Sequence, residues 1–537
     1  MKRTIAFIIA LSILCGAVML IASCESGETP TEPVKTEATT ADTATEPAKT
    51  ETPTEPVATE ATTEGGTTPT EPVATTEVTT SGGSATVNDG DGYSKPTGYL
   101  DVDFGGRTFT FITTYDQDAD GVDRFDTEKE IAVDSRTGGT VIDTAVYDRN
   151  AVMKKLYNCE IKAIPNKSAT TLIQNDVNAG TNEYDFGGQQ YLWYMANKSG
   201  YYVNLYDLDL NMSIEGWNRA LFDQVTVRDK NGNDRLYTLD ADFNLSTFRA
   251  TWALYCNLDL YNQNFTESIF DIVRNGEWTV DKMMEMITAV AQDNGDQVWT
   301  AGDDVFGLMT TGHNQIGLLM SMGVRTVAID ENHNITTSAE QILSNNAIEA
   351  IDKGGELCNM DGVYIGSYTT NHESYAAGKS LFMGECLYLL PFDIIQGVNT
   401  TVIPEPLYSS ETQSEYNSYV NNKGTTYIIS KNACGGDKQM VADFFNVFVY
   451  HSHKIVYPAF LTAYGQIYCQ DENSVDMLKI ITGGINYDIS YYKGNELGLM
   501  QNMMETGKNE LNRAANKYQK TLQNTIDTIV TDMTNSK

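Results

Sequence analysis

Three observations predict an α/β fold in two lobes. From Arg107 onward, short buried runs alternate with helical patterns. The links between them are short, as in a parallel sheet covered by helices. About 440 residues follow the polar N-terminal stretch, too many for one hydrophobic core. Taken in order, RTFTFITT (107–114) reads as a buried strand. Thr140 with Asp143 three positions on marks a helix start, and Ile142, Ala145, Val146, Arg149, Val152, Met153 and Leu156 follow at helical spacing. CEIKAI (159–164) is a strand, ATTLIQNDVNAG (169–180) a short helix closed by Gly180, and YDFGG (184–188) a strand running into a glycine turn. LYTLDADF (236–243), TWALYCN (251–257), LFMGECLYLLP (381–391) and TTYIISKN (425–432) are further strand candidates. A helix is predicted over 279–292, with Val280, Met283, Met284, Ile287 and Val290 on one stripe. A long amphipathic helix closes the chain through Leu511, Ala515, Tyr518, Leu522, Ile526, Ile529 and Met533. Ligands of parallel sheets sit beyond the carboxyl ends of the strands, which places Gly187–Tyr194 at a ligand edge.

The first 97 residues are of another kind. Lys2 and Arg3 precede an apolar run from Ile5 to Ile21, and the small residues Ala22 and Ser23 stand directly before Cys24. That is the pattern of a secretory signal ending in a lipobox, after which the cysteine is lipidated. An uncleaved membrane helix would need about 20 apolar residues and a basic flank after them, and neither is present. Residues 31–80 then repeat one Thr/Glu/Pro phrase, and eight of the 13 prolines lie between Pro30 and Pro96. Such a segment buries too little apolar surface to offset its ordering entropy and is expected to remain an extended tether over 24–97. At ~3.1 Å per residue it could reach on the order of 200 Å.

The chain carries a net charge of −36, of which −27 falls on residues 98–537. Nucleic acid and anionic lipid both need clustered Lys and Arg, so this balance excludes them as partners of the folded part. Cys159, Cys256, Cys358, Cys386, Cys434 and Cys469 form no C-x-x-C pair and mostly sit in apolar runs, as buried thiols do. His451 and His453 flank Ser452 at an apolar helix end, where packing is the simpler reading. No nucleophile-elbow, zinc-protease, P-loop or dinucleotide-binding signature occurs.

Three stretches, VIDTAVYDRN (141–150), SIFDIVRNGEWTVDKM (268–283) and CQDENSVDMLKIITGGINYDISYY (469–492), together with IPEPL (403–407) and ADFFNVFVYHS (442–452), follow one another in the order of a known family. The chain resembles the family 1 extracellular solute-binding proteins, the lipoprotein receptors of ABC sugar importers. The resemblance implies a class II periplasmic-binding-protein fold with the ligand cleft between the lobes. It implies a signal peptide over 1–23, the tether over 24–97, a first lobe over 98–218 with its return over 399–455, and a second lobe over 219–398 with C-terminal helices over 456–537. It also implies capture of a carbohydrate, most simply an oligosaccharide, without catalysis, and delivery to ABC permease subunits at the outer face of the membrane, with Cys24 as the lipid anchor. A tethered glycan-degrading enzyme and a surface glycan-binding protein without a transporter are the alternative readings.

Sugars are held by aromatic faces and by planar polar groups that grip hydroxyls. Gln189, Gln190, Tyr191, Trp193, Trp217, Asp242, Trp252, Tyr255, Glu385 and Glu405 are the residues of those types that the implied fold brings toward the cleft, with Tyr194 and Asp240 beside them. Trp278 is expected to pack at a helix start. DNGDQVWTAGDD (293–304) resembles a calcium loop, with Asn294, Asp296, the Val298 carbonyl and Asp303 as the possible Ca²⁺ ligands. Its first position would be Gln292, a poor ligand, and its sixth is Gln297 where such loops carry glycine.

Overall fold

The computed structural model of the protein describes residues 87–88, 94–95, 101–114, 125, 127–166, 168–190, 200–327, 329–335, 343–392, 395–489 and 496–534. The chain divides into two units, Met1–Ser81 and Gly82–Lys537, and every described residue belongs to the second. Cys24, the signal and most of the tether lie outside the described residues, as do Tyr191 and Trp193; near the tether's end Val87–Asn88 pairs antiparallel with Ser94–Lys95, where extended chain was expected. Among the described residues no helix is long and apolar enough to cross a membrane.

The first lobe begins with strand β1 (Arg107–Thr113). Helix α1 (Val141–Tyr157) starts on the predicted capping box: Asp143 N donates to Thr140 Oγ1 (3.1 Å), and Thr140 N donates to Asp143 Oδ2 (2.7 Å). Strand β2 (Cys159–Pro165), helix α2 (Ala169–Ala179) and strand β3 (Phe186–Gln190) follow. Gly180 ends α2 at φ +70°, a conformation that favours glycine. The strands β1, β2 and β3 are parallel, with β1 between the other two.

The second lobe is entered through β4 (Trp252–Asn257). Helix α3 (Val280–Val290) is capped by Thr279, whose Oγ1 accepts from Lys282 N, and Trp278 before it is fully buried with its indole N–H on the Pro404 carbonyl (2.9 Å). Next come β5 (Phe306–Thr310), α4 (Gly312–Ser321), α5 (Asn345–Cys358), β6 (Val363–Ile365), α6 (Tyr368–Ala376), β7 (Ser380–Cys386) and β8 (Thr400–Ile403). The sheet order is β6-β5-β7-β4-β8, with β4 alone antiparallel to its neighbours. A Cβ on Gly307 would stand 2.5 Å from Ile287 Cα, so α3 lies directly on β5 and only glycine fits between them.

A short strand, β9 (Ser418–Tyr419), precedes the return to the first lobe as β10 (Thr425–Ile429), which pairs antiparallel with β3 and completes the order β10-β3-β1-β2. Helix α7 (Lys438–His451) then covers this sheet and runs on through two π-helical stretches, Ser452–Val456 and Thr462–Tyr468. Helix α8 (Asn473–Gly483), strand β11 (Ile485–Asn486), helix α9 (Glu496–Thr506) and helix α10 (Leu511–Thr534) close the chain.

The sheets set the crossings differently from the boundaries inferred from the sequence. Leu239 bridges Tyr427 of β10, so 219–249 stay with the first lobe and the crossing falls at Ala250–Thr251 rather than at 218. Strand β8 pairs with β4, so the second lobe extends past 398 and the return crossing follows Val420. The predicted strand 236–243 is extended chain with bridges only at Leu239 and Ala241.

The first lobe's core is an aromatic stack. The Phe444 ring of α7 lies parallel to Phe109 (3.9 Å between centroids, 22°), to Phe186 (5.4 Å, 15°) and to Phe448 (5.1 Å, 21°). This core continues onto one face of the second sheet through Ala253, Tyr255, Met383 and Val402, while Trp252, Leu254, Cys256, Leu308 and Phe382 build a separate core on the other face. His451 packs as its apolar setting suggested: it bonds Tyr157 Oη (3.0 Å), and burial pushes its pKa down to about 4, so it is neutral at physiological pH. All six cysteines of the folded part are free, and Cys358 alone among them is not fully buried. Because Phe444 joins three rings at full burial, Phe444→Ala is expected to cost roughly 3–5 kcal/mol. Urea unfolding should show a lower midpoint at unchanged slope.

Candidate functional site

The direction of each strand decides where polar side chains gather. In the first lobe β1, β2 and β3 end together at Thr113, Pro165 and Gln190, and β10 starts at that same edge, with Thr425 opposite Gln190. In the second lobe β5, β6, β7 and β8 end at Thr310, Ile365, Cys386 and Ile403, and β4 starts there, with Trp252 opposite Cys386. The chain therefore enters the second sheet and re-enters the first at their carboxyl edges. The two crossings lie side by side, with the start of the link from β7 to β8 against them. Thr251 bridges Val420, Asn421 N donates to the Ala250 carbonyl (2.8 Å), and Leu387 N donates to the Thr251 carbonyl (3.0 Å). Such a hinge holds the two carboxyl edges toward each other.

Both edges carry buried polar atoms that no protein group satisfies. On the first they are Thr113 Oγ1, Gln189 Oε1 and Thr425 Oγ1. On the second they are Trp252 Nε1 and, in the opening turns of the two helices that follow β5 and β6, both amide atoms of Gln315 and of Asn371. Gln315 is 2 % exposed and Asn371 1 %. Buried polar groups are ordinarily hydrogen-bonded, and each exception calls for an explanation. All six of these groups are uncharged.

The acids expected at the ligand are, by contrast, already paired. Glu385 accepts from Cys386 N (2.8 Å) and from His372 Nε2 (3.0 Å). Glu405 accepts from Asn314 Nδ2 (2.7 Å), whose Oδ1 accepts in turn from Thr310 Oγ1 (2.7 Å). Tyr255 is a core residue and not an edge residue: it is fully buried on the sheet face opposite Trp252, and its hydroxyl donates to the Cys386 carbonyl (2.8 Å). Gln190 stands at the first edge, opposite Thr425.

Trp217 and Asp242 come together elsewhere, in a cavity of about 300 Å³ beside the outer flank of β10, lined also by Asp240, Phe248, His453 and Tyr457. Asp242 Oδ2 accepts from His453 Nδ1 (2.6 Å), and His453 Nε2 reaches Glu215 (3.3 Å). Burial pushes the Asp242 carboxyl up against the opposing pull of His453. Asp240 accepts from Asn218, Tyr487, Asn244 and Thr247, yet its burial raises its pKa to about 6. The π-helical turn that carries His453 toward this cavity was not legible in the sequence.

The calcium-like loop is closed on itself. Oxygens of Asp293, Asn294 and Asp296 each accept a backbone N–H within the loop, and Asp304 accepts from both Asn294 N (2.8 Å) and Thr300 N (2.6 Å). Gln297 takes φ +64° where a calcium loop uses glycine. Asp303 is exposed, and the Val298 carbonyl accepts from Thr300 Oγ1 (3.2 Å). Among the described residues no three His, Cys, Asp or Glu side chains gather as a metal-holding group.

Glu405 yields a test of this electrostatic picture. Its pKa is raised from 4.5 to about 7 by burial, against the single bond from Asn314. An acid raised on folding stabilises the fold fully below its unfolded pKa, and that stability is lost as pH climbs through the folded value. The wild-type melting temperature should therefore fall between pH 5 and 8. Glu405→Gln, which keeps the acceptor for Asn314 and removes the charge, should flatten that fall, a difference on the order of 3 kcal/mol at pH 8.

No family model and no curated protein matches the chain. Solved structures do. A cyclo/maltodextrin-binding protein complexed with maltotetraose is 12% identical over 78% of this chain and 97% of its own, with a TM-score of 0.51. The GacH receptor of Streptomyces glaucescens is 12% identical over 79% of this chain and 99% of its own, at a TM-score of 0.46. An ABC substrate-binding protein of Listeria monocytogenes in complex with cycloalternan is 12% identical over 78% and 99%, at 0.44. At such identities the likeness is one of fold, and the first of the three carries it. The chain has the two-lobed α/β fold of that maltodextrin-binding protein.

Proposed function

We propose that this chain is a lipid-anchored receptor that captures a neutral carbohydrate, an oligosaccharide, between its two carboxyl edges and delivers it to the permeases of an ABC importer. One observation carries the reading. The buried groups left without partners on the two edges are hydroxyls, amides and an indole N–H, whereas the carboxylates nearby are already paired. A charged ligand buried there would need a countercharge. A hydroxyl-rich neutral one matches the set, because each sugar hydroxyl both donates and accepts. The maltotetraose complex of a protein sharing this fold supports the same ligand class. The residues do no chemistry in this reading: ligand binding draws the lobes together, and permeases recognise that arrangement.

The reach of the Thr/Glu/Pro tether favours a second reading, in which the chain captures glycans at the cell surface without docking a transporter. Loss of growth on one sugar after gene deletion would support import over surface capture alone.

Calorimetry of the mature chain against neutral oligosaccharides, amino acids and organic acids should find binding in the first group. Asn371→Ala and Gln315→Ala should each weaken it about ten-fold, near 1.4 kcal/mol, with the melting temperature nearly unchanged. Binding confined to charged solutes would overturn the proposal, and reducing ends appearing over time would replace it with a glycan-degrading enzyme. Cys24→Ser should move the chain from the detergent-soluble membrane fraction to the aqueous one.

A further inference from the structure

The stretch GGINYD (483–488) belongs to one of the family-like motifs, and the ligand edges make no use of it. It is built into the second lobe on one side. Its helix α8 is tied to β8 by Ser474 Oγ and Thr401 Oγ1 (2.7 Å). A Cβ on Gly484 would stand 2.3 Å from the Tyr416 carbonyl, so the chain there fits only as glycine. Strand β11 pairs parallel with β9, directly ahead of the return crossing, and Asn486 Nδ2 donates to Asn417 Oδ1 (2.9 Å). Asp488 is fully buried and accepts from Thr326 N (2.7 Å) and Thr326 Oγ1 (3.1 Å), just beyond α4.

From the same six residues a second set of bonds reaches the first lobe. Gln224 Nε2 donates to Asn486 Oδ1 (2.6 Å), and Tyr487 N donates to Gln224 Oε1 (2.7 Å). The Tyr487 hydroxyl donates to Asp240 Oδ2 (3.1 Å) and accepts from Asn218 Nδ2 (2.8 Å). Asn218 and Asp240 flank the chain that bridges β10 at Leu239, so they move with the first sheet. The two sides differ in kind. Toward the second lobe the segment is held by strand pairing and a buried carboxylate. Toward the first it is held by side-chain bonds and by Ile485 and Tyr487, both buried in the core that runs through the first lobe, next to the cavity of about 300 Å³ that Gly483 and Ile485 share with Trp217 and Asp242. Side-chain bonds beside open space can be broken and remade more readily than strand pairing.

We propose that Gly483–Asp488 is a latch spanning the hinge, that it sets the angle between the lobes, and that Tyr487 is its positioning residue. The proposal rests on the two-lobed receptor reading, but its test needs no ligand. Hydrogen exchange read by mass spectrometry on the full chain, with and without Tyr487→Phe, should show about ten-fold faster exchange at the crossings 248–252 and 418–424 and at the adjoining turn 385–390. Peptides from β1 and β5 should exchange as in the wild type, and the melting temperature should hold within a few degrees. Gln224→Ala breaks the other end of the latch without touching Tyr487, and must reproduce the pattern. Faster exchange confined to 483–489, or spread uniformly with a large fall in melting temperature, would make the segment merely structural and overturn the proposal. A chain that binds no sugar but shows the hinge pattern would keep the latch and remove the receptor reading.

Discussion

The hydrogen-bonded seam at Ala250–Thr251, Leu387 and Val420–Asn421 is the constraint on which the remaining architecture depends. It exists because β4 runs against its neighbours. An antiparallel strand begins where parallel ones end, so the chain can step from the first lobe straight onto the second sheet's carboxyl edge. The same holds in reverse for β10 in the first lobe. Two antiparallel strands in otherwise parallel sheets thus turn both carboxyl edges toward one hinge. Backbone bonds across the seam allow rotation about it while opposing separation of the lobes.

Charge is distributed to suit a neutral ligand. The folded part carries a large excess of acid, yet the acids near the edges are tied to His372, Asn314 or backbone N–H groups. What stays unpaired is neutral. Net acidity therefore bears on solubility and the choice of macromolecular partner, while the proposed ligand is selected by a few hydroxyls and amides. The two properties live on different residues.

Local elements were legible wherever one side chain decides the backbone. Thr140 with Asp143, Gly180 after α2, and Thr279 ahead of α3 each mark a boundary through a bond or a left-handed residue that sequence alone implies. Gln189 was legible as an edge residue because it lies at the carboxyl end of a strand. Tyr255 was not legible as core, because β4 is buried on both faces and its alternation carries no polar signal. Gln315 and Asn371 were missed for a different reason. Each sits one turn into a helix that follows a strand, a place where polar residues usually serve caps, and only three-dimensional packing shows that their side chains serve none. The crossings were misplaced because they depend on which strands pair, and pairing between residues so far apart in the chain leaves no trace in local pattern.

The unpaired edge groups and the hinge contacts act on one equilibrium in opposite ways. Each buried polar atom without a partner costs about 1–3 kcal/mol relative to the same atom in water or against a ligand. Six such residues therefore press the unliganded edges toward solvent, and a ligand that supplies their partners removes that pressure. The bonds of Gln224, Asn218 and Asp240 to the 486–487 segment add a bias for one lobe angle. A ligand shifts the population by its differential affinity for the two arrangements. That balance gives the motif 483–488 a physical reason to exist in a chain whose ligand contacts lie on other elements.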